Sequence, residues 1–240
     1  IPEMARKVEG VNAGYLIEVG ARPNTGKTSF HASMLVGPDG MARQGAKCVV
    51  LCNEESYDRV AFRYIQASTG FPKEKIQANI HEAKRIYQDV TKNVKIKDVS
   101  GEDMSWVETM CKSERPDIVV LDMGDKFASG TYSRPDEQLK ANAIYARQIA
   151  KTYGCAVFYM SQLNAEAEGR QVLNQAMMEG SRTGKAAEAD LMLLIGQPAQ
   201  VEGVDEQATL RHINVVKNKV TGWHGMINCN LDYRTARFTA

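Results

Sequence analysis

The residues at 21–28 read Ala-Arg-Pro-Asn-Thr-Gly-Lys-Thr, and those types in that order suit a triphosphate. An apolar run at 15–19 precedes them and reads as a buried strand. Residues 29–36 follow and read as the first turns of a helix. Strand, tight loop, Gly-Lys-Thr and helix make a phosphate-binding loop. Backbone N–H groups of such a loop and of the helix N-terminus point at phosphate oxygens. Gly26 has no Cβ and admits close backbone approach. Lys27 is a point charge for the β- and γ-phosphates, and Thr28 offers a hydroxyl to Mg²⁺. Arg22, Pro23, Asn24, Thr25 and Ser29 complete the loop and first turn and are expected to line the nucleotide. The usual pattern opens with Gly. Here Ala21 holds that slot, and Gly20 lies one residue too early. The competing reading is a chance Gly-Lys-Thr in a surface loop, which the flanking strand and helix oppose.

Further candidates end other apolar runs. Glu54 and Glu55 follow the run at 47–52. A carboxylate there can orient, and take a proton from, the water attacking a γ-phosphate. Glu54 is the favoured base, while Glu55 and Asp58 also suit a helix N-terminus. Asp122 ends the run at 118–122 and is the candidate Mg²⁺ carboxylate, with Asp125 a weaker one. A strand-terminal Asp capping a turn is the plainer alternative. Gln162 ends the run at 156–160 and can sense γ-phosphate, or merely form a turn. Lys217 and Lys219 can reach a nucleotide held by a neighbouring subunit, or be a solvated pair at a hairpin. Lys126 and Arg134 sit in one polar loop. Asn164, Arg170, Arg182 and Lys185 lie in or beside another. Both loops can present charge to a nucleic-acid backbone. Ordinary surface charge is the default, and Tyr132 is the one stacking aromatic there. The histidines show no metal-like spacing, so no zinc is expected.

The elements that must position these residues alternate. Strands are expected at 15–19, 47–52, 94–99, 118–122, 156–160, 191–195, 211–216 and 226–232, with helices between most of them. Residues 1–14 read as a polar lead-in and 73–90 as one charged helix. Asp136 is the expected cap of a long helix that Gly154 closes. The stretch up to Gly184 reads as a mobile polar loop. Alternation of this kind implies a mostly parallel sheet flanked by helices. Ligands then bind beyond the carboxyl ends of the strands, where the acids and Gln162 lie.

Bulk properties narrow the classes. The 240 residues are 43% hydrophobic and 25% charged, enough for a full core. A net charge of +1 gives no global field for nucleic acid, so such contacts must be local. Five cysteines without a CxxC pair read as reduced packing residues of a cytoplasmic protein. No apolar run reaches membrane length, and no membrane partner is expected. The start, Ile-Pro-Glu-Met, reads as an internal edge of a longer protein.

Taken together, the motifs resemble a family. Ala-Arg-Pro-x-x-Gly-Lys-Thr at 21–28 resembles the phosphate loop of DnaB-type replicative helicases, its opening Ala included. Leu-Cys-Asn-Glu-Glu-Ser at 51–56 is similar to the catalytic-glutamate segment of phage primase–helicases. Met-Ser-Gln-Leu-Asn at 160–164, Glu-Ala-Asp-Leu at 188–191 and Lys-Asn-Lys-Val-Thr-Gly at 217–222 match later blocks in order. The resemblance implies an α/β fold, a RecA-like P-loop NTPase core spanning 1–240. It implies a homo-hexameric ring that hydrolyses ATP or another NTP with Mg²⁺ at subunit interfaces. It implies translocation on single-stranded DNA in the cytoplasm of a bacterium or a phage-infected host, beside primase or polymerase partners. Carried residue by residue, it implies phosphate and Mg²⁺ contacts by Lys27 and Thr28, Glu54 as base, Asp122 on the metal and Gln162 as sensor. It further implies Lys217 acting in trans, Tyr233 stacking on the base, and DNA loops at 124–135 and 163–184. Two positions depart. Lys219 stands where the family usually has Arg, losing the planar fork that clamps a phosphate. Gly196-Gln197 stands where phage enzymes place an Arg near the base. A recombination ATPase forming filaments and a nucleotide-gated assembly module remain alternatives.

Overall fold

The computed structural model describes residues 1–128, 134–180, 184–199 and 209–240. Tyr132 and Arg182 lie outside the described residues. The sheet is built around β1 (Leu16–Ala21), every residue of which is buried. Its neighbours are as apolar, as strands covered on both faces must be. They are β2 (Cys48–Cys52), β4 (Ile118–Asp122), β5 (Ala156–Gln162) and β6 (Leu191–Gly196), with β3 (Val94–Asp98) at the edge. Those six strands run parallel. The antiparallel strands β7 (Leu210–Asn218), β8 (Gly225–Asp232) and β9 (Arg237–Thr239) extend the sheet. The spatial order is β3-β2-β4-β5-β1-β6-β7-β8-β9.

Side-chain alternation decides what each face holds. Ile17, Val19, Cys52, Val120 and Met160 point to one face. There they meet α1 (Pro2–Val8), α2 (Lys27–Val36), α3 (Tyr57–Thr69) and α5 (Ile80–Thr91). Leu16, Leu51, Leu121 and Tyr159 point to the other, under α6 (Met104–Glu114) and α7 (Pro135–Tyr153). Asp122 and Gln162 fall on the α2 face by the same period. Register completes the placement: Cys52 pairs with Asp122, and Ala21 pairs with Gln162.

Four expectations change. Residues 2–8 form α1, because Pro2 starts a helix whose Met4 and Val8 reach the core. The charged segment breaks at Asn79 into α4 (Lys73–Ala78) and α5. Asp136 lies in the first turn of α7, whose cap position is Arg134 with Pro135 next. The loop after β5, read as mobile, is packed. Leu163 bridges to Met178, and Leu163, Ala167, Leu173, Met177 and Met178 form a small core against Met192 and Leu194.

Two buried polar groups tie the frame. At the amino ends of the strands, Asp190 accepts the Leu16 N–H at 3.0 Å and pairs with Arg147. At the centre of β1, Glu18 is fully buried on the α7 face and accepts from the Ser161 hydroxyl at 2.5 Å. The ammonium of Lys185, in α8 (Gly184–Glu188), lies 3.2 Å from that hydroxyl and 2.5 Å from Asp125 Oδ1. Burial pushes the Glu18 carboxyl up from 4.5 to about 7, against the pull of Lys185. A raised carboxyl binds more protons when folded, so its contribution is full below pH 4.5 and disappears as pH climbs through about 7. Glu18→Gln is therefore expected to flatten the fall in stability between those limits, read as urea midpoints at pH 5 and pH 7.5. An unchanged slope in the variant would rule this assignment out.

Candidate nucleotide site

The cradle lies where β1 ends and α2 begins. Asn24 and Gly26 take positive φ, 61° and 103°, which turns the loop back over the strand end. At Gly26 a Cβ would also stand 2.3 Å from Leu231 Cδ2, so only glycine fits. Gly20 serves packing instead, since its Cβ would meet Leu163 and Leu194 at 2.8 Å. Arg211 supports the loop from below. It is fully buried, and its Nε donates to the Thr25 carbonyl at 2.8 Å. Nothing in the sequence pattern distinguished it from other strand residues.

The expected phosphate residues converge. A cavity of about 480 Å³ is lined by Arg22, Pro23, Asn24, Gly26, Lys27, Thr28 and Ser29, with Glu54, Glu55, Gln162 and Tyr233 opposite. A second cavity of about 740 Å³ adjoins it, shares Arg22, Pro23, Asn24 and Tyr233, and adds Thr25, Glu168 and Pro198. Both are of ligand size. Lys27 Nζ lies 3.3 Å from Glu54 Oε2 and donates toward Met123 Sδ. Gln162 Nε2 donates to Glu54 Oε1 at 3.3 Å. Glu55 takes a different set, Thr28 Oγ1 at 3.4 Å and Arg63 at 2.6 Å. Glu54 is thus the acid that bridges the phosphate-loop lysine and the strand-end glutamine. Tyr233 is half-exposed, with the Arg211 guanidinium 5.2 Å from its ring centre.

Asp122 is buried, and neither carboxylate oxygen has a hydrogen-bond partner. Burial works to raise its pKa, yet His31, Lys27 and Arg63 outweigh it and hold the carboxyl below its ordinary 3.8. An anion kept charged and unbonded beneath a phosphate loop fits a hard cation or its water. Thr28, in the first turn of α2, fits the same role. The nearest basic side-chain nitrogen to Asp122 is His31 Nε2, at 3.7 Å from Oδ2. That is ion-pair range and longer than a hydrogen bond. His31 sits on α2 among core residues and carried no sequence signal beyond its place just after the Gly-Lys-Thr. Asp125, the weaker metal candidate, is taken up by Lys185 on the far face.

The cations expected at DNA divide. Arg170 is exposed, and Arg134 is exposed with Asp136 at 2.8 Å. Asn164 caps the turn at Ala165–Ala167 by accepting from the Glu166 N–H. Lys126 lies at the acids, 3.6 Å from Glu54. Lys185 is a correction: it is 0% exposed and paired with Asp125, so its charge serves the interior. Lys217 bonds the Ala186 and Ala187 carbonyls, and Lys219 lies 3.6 Å from Asp190. Lys217 pairs with Met192, whereas Ala21 at the cradle pairs with Ile195. Three residues separate those rungs, about 10 Å along the strands. These lysines therefore lie toward the amino ends of the parallel strands, apart from their own chain's cradle.

Solved structures share this fold. A DnaB-like replicative helicase, solved with attention to its interactions with primase, superposes with a TM-score of 0.87 at 16% identity. The match covers 99% of this chain, which spans 60% of that helicase's length. The ATPase domain of G40P superposes with a TM-score of 0.83 at 17% identity, covering 99% of this chain and 88% of that one. At such identities the likeness shows the fold, a RecA-like mostly parallel sheet flanked by helices. No curated protein sequence matches, and no described helix is long and apolar enough to cross a membrane. The DnaB-like helicase C-terminal domain matches residues 1–240, the whole length, and the chain belongs to that family.

Proposed function

We propose that residues 1–240 are the motor domain of a replicative DNA helicase, hydrolysing ATP or a related NTP between subunits of a homo-hexameric ring. The observation that carries this reading is the meeting of Lys27, Glu54, Gln162 and the unbonded Asp122 on one cradle. The loop N–H groups and Lys27 hold the β- and γ-phosphates, and Thr28 and Asp122 hold Mg²⁺. Bound there, Mg²⁺ neutralises charge on the phosphate oxygens. Glu54 takes the proton of the attacking water, and its link to Gln162 ties that step to the end of β5. From β5 the chain passes into the loop holding Asn164 and Arg170, which faces single-stranded DNA with Arg134. Tyr233 stacks on the base beside the larger cavity. Lys217 and Lys219 serve the nucleotide of the next subunit, since they lie toward the amino ends of their own parallel strands, away from the cradle. Lys219 brings charge without the planar fork of Arg, so it clamps a phosphate less firmly. Primase is the partner class we favour, by analogy with the DnaB-like helicase described above.

Shared sites make hydrolysis depend on assembly. The rate per chain is expected to rise steeply above a threshold protein concentration and to rise further with single-stranded DNA. A rate proportional to concentration throughout, and indifferent to DNA, would overturn the reading. Lys27→Ala is expected to weaken ATP binding about tenfold or more, as loss of a charge-assisted phosphate contact does. Fluorescent-nucleotide titration checks this, and unchanged affinity would remove Lys27 from the cradle.

A further inference from the structure

We propose that Tyr64 and His31 act as positioning residues that hold the Asp122 carboxylate in its metal-facing orientation. The inference rests on the reading of Asp122 as the Mg²⁺ carboxylate. His31 leaves α2 three residues after Thr28, and Tyr64 leaves α3. Their side chains meet beneath the cradle, Nδ1 to the phenolic oxygen at 2.9 Å. Both are buried, His31 at 1% and Tyr64 at 0% exposure.

The hydrogen bonds set the imidazole's direction. Burial pushes the Tyr64 phenol well up, so the oxygen keeps its proton. Among the described residues the phenol has no acceptor but Nδ1. A buried hydroxyl hydrogen left unbonded is costly, so the phenol donates. Nδ1 then bears no proton, and the ring carries its hydrogen on Nε2. Nε2 has no hydrogen-bond partner and stands 3.7 Å from Asp122 Oδ2. Its N–H dipole draws that oxygen and leaves Oδ1 without a protein partner.

The bland alternative is a histidine filling core volume. The surroundings argue against it. His31 lies one turn beyond Lys27 and Thr28 on α2 and points at Asp122, while Phe30, Ala32 and Leu35 of the same helix enter the apolar core. An apolar side chain would fill the same space without the cost of burying a polar ring. Groups that orient a metal ligand from behind cost about 10- to 100-fold in metal affinity when removed.

Mn²⁺ serves as the probe, titrated by electron paramagnetic resonance into the whole chain with a non-hydrolysable ATP analogue. Tyr64→Phe keeps the ring and removes only the donor. His31→Asn keeps a partner for Tyr64 but falls short of Asp122. His31→Gln places an amide N–H near the Nε2 position. Tyr64→Phe, His31→Asn and Asp122→Ala are each expected to weaken Mn²⁺ binding by about tenfold or more, the usual cost of losing a ligand or its support. His31→Gln is expected to retain affinity within about threefold of the parent chain. Nucleotide affinity measured without metal stays unchanged in the Tyr64 and His31 variants. If Asp122→Ala weakens Mn²⁺ while Tyr64→Phe does not, the positioning role is overturned and the metal site stands. Equal losses in His31→Gln and His31→Asn would show packing alone and also overturn it. If Asp122→Ala leaves Mn²⁺ binding intact, the metal reading fails and this inference with it.

Discussion

A carboxylate sealed from water with neither oxygen bonded is among the costlier arrangements a fold can hold. Asp122 is in that position, held by the charges of Lys27 and Arg63 and the nearby imidazole of His31 instead of by hydrogen bonds. His31 stands against it from α2, while Lys27 and Arg63 act from a greater distance. The arrangement requires β4 to end beside β2 in register, and α2 to start directly over them. A one-residue slip of β4 would turn Asp122 to the α7 face and put an apolar residue under the cradle. The register of the parallel strands is therefore the constraint on which the site depends.

The two faces of the sheet divide the work. On the α2 face lie the phosphate loop, Glu54, Asp122 and Gln162. On the α7 face, Glu18, Ser161, Lys185 and Asp125 form a closed polar cluster. Successive residues alternate between faces, so Ser161 and Gln162 sit on opposite sides of one strand end. The short turn at Gly124–Lys126 is similarly divided. Its Asp125 joins the buried cluster, while its Lys126 reaches Glu54. The segments leaving β4 and β5 are thus held from both faces. Arg22 adds a third tie, bonding Glu168 and the Leu163 carbonyl across the mouth. A shift at the cradle has direct mechanical routes into the segments after β4 and β5.

The strand cores and their polar ends were legible because apolar runs bounded by acids or Gln are a one-dimensional signal. Lys27, Glu54, Asp122 and Gln162 could be named from it, and their convergence follows once the strands are parallel. The segment at 163–180 was not legible. Its core residues pair at helical spacing, Leu163 with Ala167 and Leu173 with Met177, but polar Glu166, Arg170 and Asn174 interrupt the stripe, and the residues are gathered by tertiary contact. Lys185 failed for a related reason. A lysine beside a polar loop resembles surface charge until Asp125 and Ser161 are seen to enclose it. Arg211 and His31 are silent in sequence, since their roles depend on the carbonyl of Thr25 and the carboxylate of Asp122, both remote along the chain.

The central claim is that one acid at a strand end acts on the phosphate that the loop holds. Its most direct test is single-turnover hydrolysis by Glu54→Gln, measured beside equilibrium ATP binding. The account predicts a fall in hydrolysis of about 100-fold or more, the scale of a lost general base, with ATP affinity nearly unchanged. Hydrolysis at the parent rate would contradict it and leave Glu54 a structural partner of Lys27 and Gln162.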